Sequence, residues 1–317
     1  MRYYSLLVVL TLATFTGVVC TSALIVQALW PSLSGRLERM SPPLRARALL
    51  MLRAAPAFCA SVAALLCALS FLEFEPIRTM ERAGVLLTAA ALGALCLWVI
   101  AMWKAGRAWA RSAACSRLAR HCGRFAHGGD SVMVVDSPYP VAAVTGVFRT
   151  RLIVSRTLLA SCAHDELDAI FAHETAHVNR ADNFYRGFML LLPDPLLLLP
   201  AGREIERAWS AAAEEAADDD AGGGIVEKRV ALASALVRVA GLARTPAPAW
   251  MPDLAFFQGD NLERRVRRLL GPVALDSPSR DPLAPCAFLA VAVIVVCAVV
   301  EAAAFHRLME SAVRILP

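Results

Sequence analysis

The stretch Phe171-Ala172-His173-Glu174-Thr175-Ala176-His177-Val178 decides how this chain is read. It contains His-Glu-x-x-His. On a helix, residues four apart project from one face, so His173 and His177 present two imidazoles side by side. Two neutral imidazoles at that spacing can hold one zinc ion, and Glu174 beside them can take the proton of an activated water. The chain has 6 His in 317 residues, and only about 0.005 such matches are expected by chance. The competing reading is a helix that carries two surface histidines.

Hydrophobic residues make up 58% of the chain, above the roughly 45–50% of an ordinary soluble domain. That excess points to membrane segments. The net charge of +5 is modest. No run of Lys and Arg interleaved with aromatics marks a nucleic-acid surface, so no direct nucleic-acid binding is expected, and the basic excess is read as membrane topology. Nine cysteines are present, most of them inside apolar runs and none in Cys-x-x-Cys. That pattern argues against a disulfide framework and against a cysteine zinc site.

Residues 5–29 are almost uninterrupted apolar or small residues. They are read as a transmembrane helix, because about 20 such residues cross a bilayer. The run is too long for the core of a cleaved signal peptide. Two more spans are expected at about 54–72 and 84–103, and a fourth at about 285–304. The stretches 31–53 and 104–124 are rich in arginine, whereas 73–82 carries Glu73, Glu75 and Glu81. Positive loops stay in the cytoplasm. This predicts a multi-pass protein of the cell (plasma) membrane with its N-terminus outside, the first loop inside and the region after the third span cytoplasmic. The expected division is 1–104 for three spans, 105–284 for a cytoplasmic domain, and 285–317 for the fourth span and a short outside tail. The apolar stretch 188–199 is broken by Pro193 and Pro195. At about a dozen residues it suits an interfacial or re-entrant segment better than a crossing.

Within the cytoplasmic region, 131–135, 140–144 and 151–155 read as strands, with Thr145-Gly146 as a break. A helix opens at Ala163-His164-Asp165-Glu166, with acids in its first turn. Leu167, Ile170, Phe171 and Val178 give it a buried face. A second helix covers 204–221 and ends at Gly222-Gly223-Gly224. A third covers about 225–242, and Pro246 to Pro252 form a loop. Residues 261–270 form a short basic helix whose four arginines suit a membrane face. His121, His127, His164 and His306 read as surface residues.

A catalytic zinc has three protein ligands and one open position. His173 and His177 are two. Glu214 and Asp218 are four apart on the acidic helix and share a face, so one can bind zinc while the other orients a ligand histidine. A merely solvated acidic face is the competing reading.

Arg151-Leu152-Ile153-Val154-Ser155, Asp165-Glu166-Leu167, and the His-Glu-x-x-His continuing to Arg180 and Asp182-Asn183 resemble the BlaR/MecR-type membrane zinc metallopeptidases. More distantly they resemble the HtpX-type and CAAX-prenyl endopeptidases. Those families share a downstream Glu-x-x-Ala/Cys-Asp on a helix, which Glu214-Glu215-Ala216-Ala217-Asp218 fits. The resemblance implies a mainly α integral membrane protein with about four spans and a cytoplasmic α+β zincin-like metallopeptidase domain holding a small sheet. It implies one Zn2+ per chain on His173, His177 and Glu214, with Glu174 as the catalytic base and Asp218 behind the ligands. The frame from Glu215 to Asp219 is the alternative, and it would put Asp218 at the small-residue position. An edge strand within 140–155 would bind an extended substrate, with Gly146 allowing close approach. The implied activity is hydrolysis of peptide bonds at the cytoplasmic face, in a protein or peptide substrate for which a transcriptional repressor is one candidate, which would make the chain part of signal transduction. An HtpX-like quality-control protease and a non-catalytic membrane receptor that kept the fold are the alternatives. A transporter is disfavoured, since few ionisable residues lie within the spans. The penicillin-binding sensor that follows the fourth span in the BlaR and MecR receptors is not found in the sequence through Pro317.

Overall fold

The computed structural model describes residues 2–75, 84–120, 123–127, 130–147, 150–193, 195–243 and 262–272. The expected fourth span, the Pro-rich loop, most of the acidic loop at 73–82, and His121 and His306 lie outside the described residues, as does the side chain of His127. The chain divides into two compact units. One comprises 1–103, 191–208 and 277–317; the other comprises 104–190 and 209–276.

The first unit is built on long apolar helices: α1 (Arg2–Leu37), α2 (Pro42–Phe74) and most of α3 (Val85–Arg120). Among the described residues, three helices are long and apolar enough to cross a membrane, and they coincide with the first three expected spans. Small residues let them approach closely. Val19 packs with Ala60, Ala64 and Ala94, and the Thr16 hydroxyl donates to the Ala90 carbonyl at 2.7 Å. Such small-residue contacts and interhelical hydrogen bonds hold apolar helices together where burial from water contributes little.

The 188–199 stretch is not one element. Helix α6 (Asp182–Leu191) ends before Pro193, and a 3-10 turn at Pro195–Leu198 leads into α7 (Pro200–Gly222). Proline supplies no N–H and clashes with the preceding turn, which accounts for the interruption. In the first unit the Ala201 N–H donates to Gln27 Oε1 at 3.0 Å, Trp30 Nε1 donates to Glu204, and Arg53 Nε donates to Glu206 at 3.3 Å.

The second unit holds a four-stranded sheet: β1 (Arg124–His127), β2 (Asp130–Val135), β3 (Ala142–Thr145) and β4 (Arg151–Ser155), in the order β1-β2-β4-β3. Strands β2 and β4 are parallel, with Met133 opposite Ile153, and the other pairs are antiparallel. Strand β1 was not expected from the sequence. β3 begins at Ala142 rather than Pro140, and it runs through Thr145, so the break falls at Gly146. Ser155 closes the sheet: its Oγ accepts from the Val141 N–H and, as N-cap of the short helix α4 (Arg156–Ser161), from the Leu158 N–H.

Helix α5 (His164–Asn179) carries the His-Glu-x-x-His. Its N-terminus is held by Glu166, whose Oε2 accepts from the Ala163 N–H at 2.9 Å. Ile170 and Phe171 are buried as expected, but Val178 is 37% exposed, because it lies at the edge of the buried arc in the last turn. The helix packs with β2, β4, α8 (Val226–Leu242) and α9 (Leu262–Leu270) around Val132, Val154, Leu158, Ile170, Leu232, Leu236 and Leu269. Alanines 212, 213, 216 and 217 bury one side of α7. Gly223 and Gly224 take positive φ at its end, where a left-handed residue terminates a helix.

Candidate metal centre

The two histidines of α5 point inward, not to solvent. His173 is 0% exposed and Glu174 1%. A buried imidazole needs partners, and each histidine has a carboxylate at Nδ1. His173 Nδ1 lies 3.0 Å from Asp218 Oδ1 of α7. His177 Nδ1 lies 2.7 Å from Asp182 Oδ2 of α6. Both Nε2 atoms are thereby turned toward one point and stand 3.1 Å apart.

Glu214 of α7 meets them there. Its Oε2 is 3.4 Å from His173 Nε2 and its Oε1 is 3.6 Å from His177 Nε2. One ligand atom from each of His173, His177 and Glu214 can be chosen so that all lie within 4.8 Å of one another. Donors about 2.05 Å from a tetrahedral zinc stand about 3.3 Å apart, so the spacing suits a single small cation. Glu215 faces elsewhere, toward Arg264 of α9 at 2.8 Å. The geometry therefore brings Glu214, not Glu215, to the histidines.

Glu174 lies beside this cluster. Its Oε1 is buried with no hydrogen-bond partner among the described residues, an acceptor left over for a group the protein does not itself supply. The residues present thus fit a metal ion with a water. Burial holds the Glu174 carboxyl above its ordinary range, although both histidines and the Val144 N–H pull it down.

The charges around the cluster are strongly coupled. Burial lowers the His173 pKa, but Asp218 and Glu214 outweigh it and raise it to about 9. Burial, the largest single effect, raises Glu214 and Asp218, but Arg265 and the neighbouring histidines together outweigh it in both. Glu214 falls to about 2, and Asp218 lies well below the usual carboxylate range.

Arg265 corrects the expectation that the arginines of α9 serve a membrane face. Its guanidinium is buried, and Nε and Nη2 donate to the two Asp218 oxygens at 2.8 and 2.7 Å. Arg264 and Arg268 pair with Glu215 and Asp219 of α7, while Arg267, the most exposed of the four, pairs with Glu263. The acidic run 214–220 is therefore not a plain solvated face. Helical spacing carried the missed signal, since Leu262, Arg265, Val266 and Leu269 share one side of α9. His164 is exposed and pairs with Asp168, as a surface histidine would.

The edge strand adjoins the site. Asn183 of α6 donates from Nδ2 to the carbonyls of Val144 and Gly146 at 3.1 and 2.9 Å. Gly146 has φ +92°, a conformation that favours glycine.

Residues 108–243 match the model of Peptidase family M48. The match takes in the sheet, α5, α6, α7 and α8, and so every residue of the His173, His177, Glu214 cluster; α9 lies beyond it. No curated protein matches, and no solved structure matches. The class that fold, site and family match define is a helical chain with, among the described residues, three helices apolar enough for a membrane and a peptidase-like domain with a candidate metal site. In particular, it is similar to Peptidase family M48 across that domain.

Proposed function

We propose that this chain is an integral-membrane, zinc-dependent endopeptidase that hydrolyses peptide bonds at the cytoplasmic face. The observation that carries the reading is the convergence of His173 Nε2, His177 Nε2 and a Glu214 oxygen beside the unpartnered, buried Glu174 Oε1. The match to a peptidase family over the same residues supports it.

His173, His177 and Glu214 would hold the metal, and a zinc ion bound there would supply Lewis acidity toward a water and a carbonyl. Asp218 and Asp182 fix the tautomer and direction of the two imidazoles through Nδ1. Glu174 removes a proton from the attacking water and delivers it to the leaving amine. Its buried, unpartnered oxygen and raised pKa suit a group that must both accept and return a proton. Strand β3 is an edge, and an extended substrate adding to it would lie beside α5. The Val144 and Gly146 carbonyls on that side are engaged by Asn183.

The 188–199 stretch is read as interfacial. Phe184, Phe188 and Leu191 lie on one side of α6, and all three are exposed, as expected of a helix lying on a lipid boundary. A regulatory protease acting on a transcriptional repressor and an HtpX-like quality-control protease share this chemistry, and substrate identity separates them. A non-catalytic receptor would need no general base at Glu174.

The test is cleavage of casein, and self-cleavage, by the purified full chain in detergent with zinc. Wild type is expected to cleave and Glu174→Gln to be at least 1,000-fold slower, a loss of about 4 kcal/mol in transition-state stabilisation. Equal rates would remove Glu174 from the mechanism. Bound zinc without cleavage by either would favour the receptor.

A further inference from the structure

We propose that Arg265 is a positioning residue of the metal centre, and that α9 is therefore part of the site although it lies beyond the family match. The inference rests on reading the cluster as a metal site.

The observation is the placement of one buried guanidinium. Arg265 is 4% exposed. Two of its nitrogens hold both oxygens of Asp218 at 2.7 and 2.8 Å, and the third, Nη1, lies 3.0 Å from Glu214 Oε2. Asp218 Oδ1 is in turn 3.0 Å from His173 Nδ1. One planar fork thus sets the direction of two of the three proposed ligands, Glu214 directly and His173 through Asp218. Lysine could supply the charge but not the three-way geometry.

The helix is built to hold this guanidinium still. Arg264 and Arg268 pair with Glu215 and Asp219 on either side of it, at 2.8 and 2.6 Å. The C-terminal carbonyls of α9 are capped by Arg229 of α8, which donates to Leu269 O, Arg268 O and Gly271 O at 2.9, 2.7 and 3.1 Å. Leu269 anchors the other side in the core.

Two effects of Arg265 on a bound cation oppose each other. Its positive charge repels the metal, whereas its hydrogen bonds to Asp218 and its ion pair with Glu214 keep the ligands in place. Loss of a group that orients metal ligands typically weakens affinity by about 10–100-fold. The proposal holds that positioning dominates.

The experiment is zinc affinity by chelator competition on the full chain in detergent, for wild type, Arg265→Met, Arg265→Lys and Arg267→Met, together with thermal unfolding in EDTA. Arg265→Met and Arg265→Lys are both expected to bind zinc about 10–100-fold more weakly, and Arg267→Met, exposed on the opposite side, to match wild type. If Arg265→Met does not fold, Arg265→Lys decides. Tighter zinc binding by Arg265→Met, or wild-type affinity in Arg265→Lys, would overturn the inference and leave the metal reading intact. So would a loss of unfolding temperature in EDTA with affinity unchanged, since that is the signature of a purely structural ion pair. No zinc on wild type would overturn the metal reading itself, and this inference with it.

Discussion

His177 Nδ1 and Asp182 Oδ2 stand 2.7 Å apart, and they belong to different helices. Asp182 opens α6 after a tight reversal at Ala181, whose φ is +56°. The turn between α5 and α6 thus exists in a form that returns a carboxylate to the second histidine. Asp182→Ala is expected to weaken zinc binding by about 10–100-fold. Asp182→Asn is expected to lose less, because its amide oxygen still accepts from Nδ1–H. Chelator competition checks both.

Gly146 and Asn183 fix the end of the edge strand. Any side chain at 146 must adopt φ +92°, which costs about 1–3 kcal/mol. Gly146→Ala is expected to lower unfolding stability by that amount and to reduce casein cleavage through KM. Asn183→Ala removes both carbonyl contacts and is expected to act in the same direction. Denaturant unfolding in detergent, with initial rates against substrate concentration, measures both effects.

Glu166 is buried at the start of α5, where Ser234 donates to one oxygen and Arg238 and the Ala163 N–H reach the other. Burial would raise its pKa, but these donors outweigh burial and hold it below the ordinary 4.5. A carboxylate with a lowered folded-state pKa contributes stability that is present above its unfolded value and lost as pH falls through the folded one. Wild type is therefore expected to lose stability below about pH 4.5. Glu166→Gln is expected to be less stable at pH 7 by about 1–3 kcal/mol, with a shallower acid-side decline. Thermal unfolding from pH 7 to 3 in detergent reads both.

Much of this arrangement is legible in the sequence because it is periodic. The spacing of His173, Glu174 and His177 on one helix, and of Glu214 and Asp218 on another, is a property of 3.6 residues per turn. The long apolar runs announce the three candidate spans in the same way. Short or irregular elements are less visible. Strand β1 is four residues long, too short to show an alternating pattern. Asp182 acts across a turn, and no local period records that it faces His177. By composition Arg265 belongs to a basic run, but its position beside Leu262, Val266 and Leu269 places it on the inward side of α9. A buried arginine is uncommon without a partner, and its partners lie 47 and 51 residues earlier in the chain.

The central claim is that His173, His177 and Glu214 form one zinc site. Zinc content and X-ray absorption of the purified full chain, for wild type and His177→Ala, test it most directly. The account predicts one zinc per wild-type chain, coordinated by two nitrogens at about 2.0–2.1 Å and by oxygen, and a substoichiometric, weakly held metal in His177→Ala. Wild type without metal, or zinc bound equally well without His177, would contradict it.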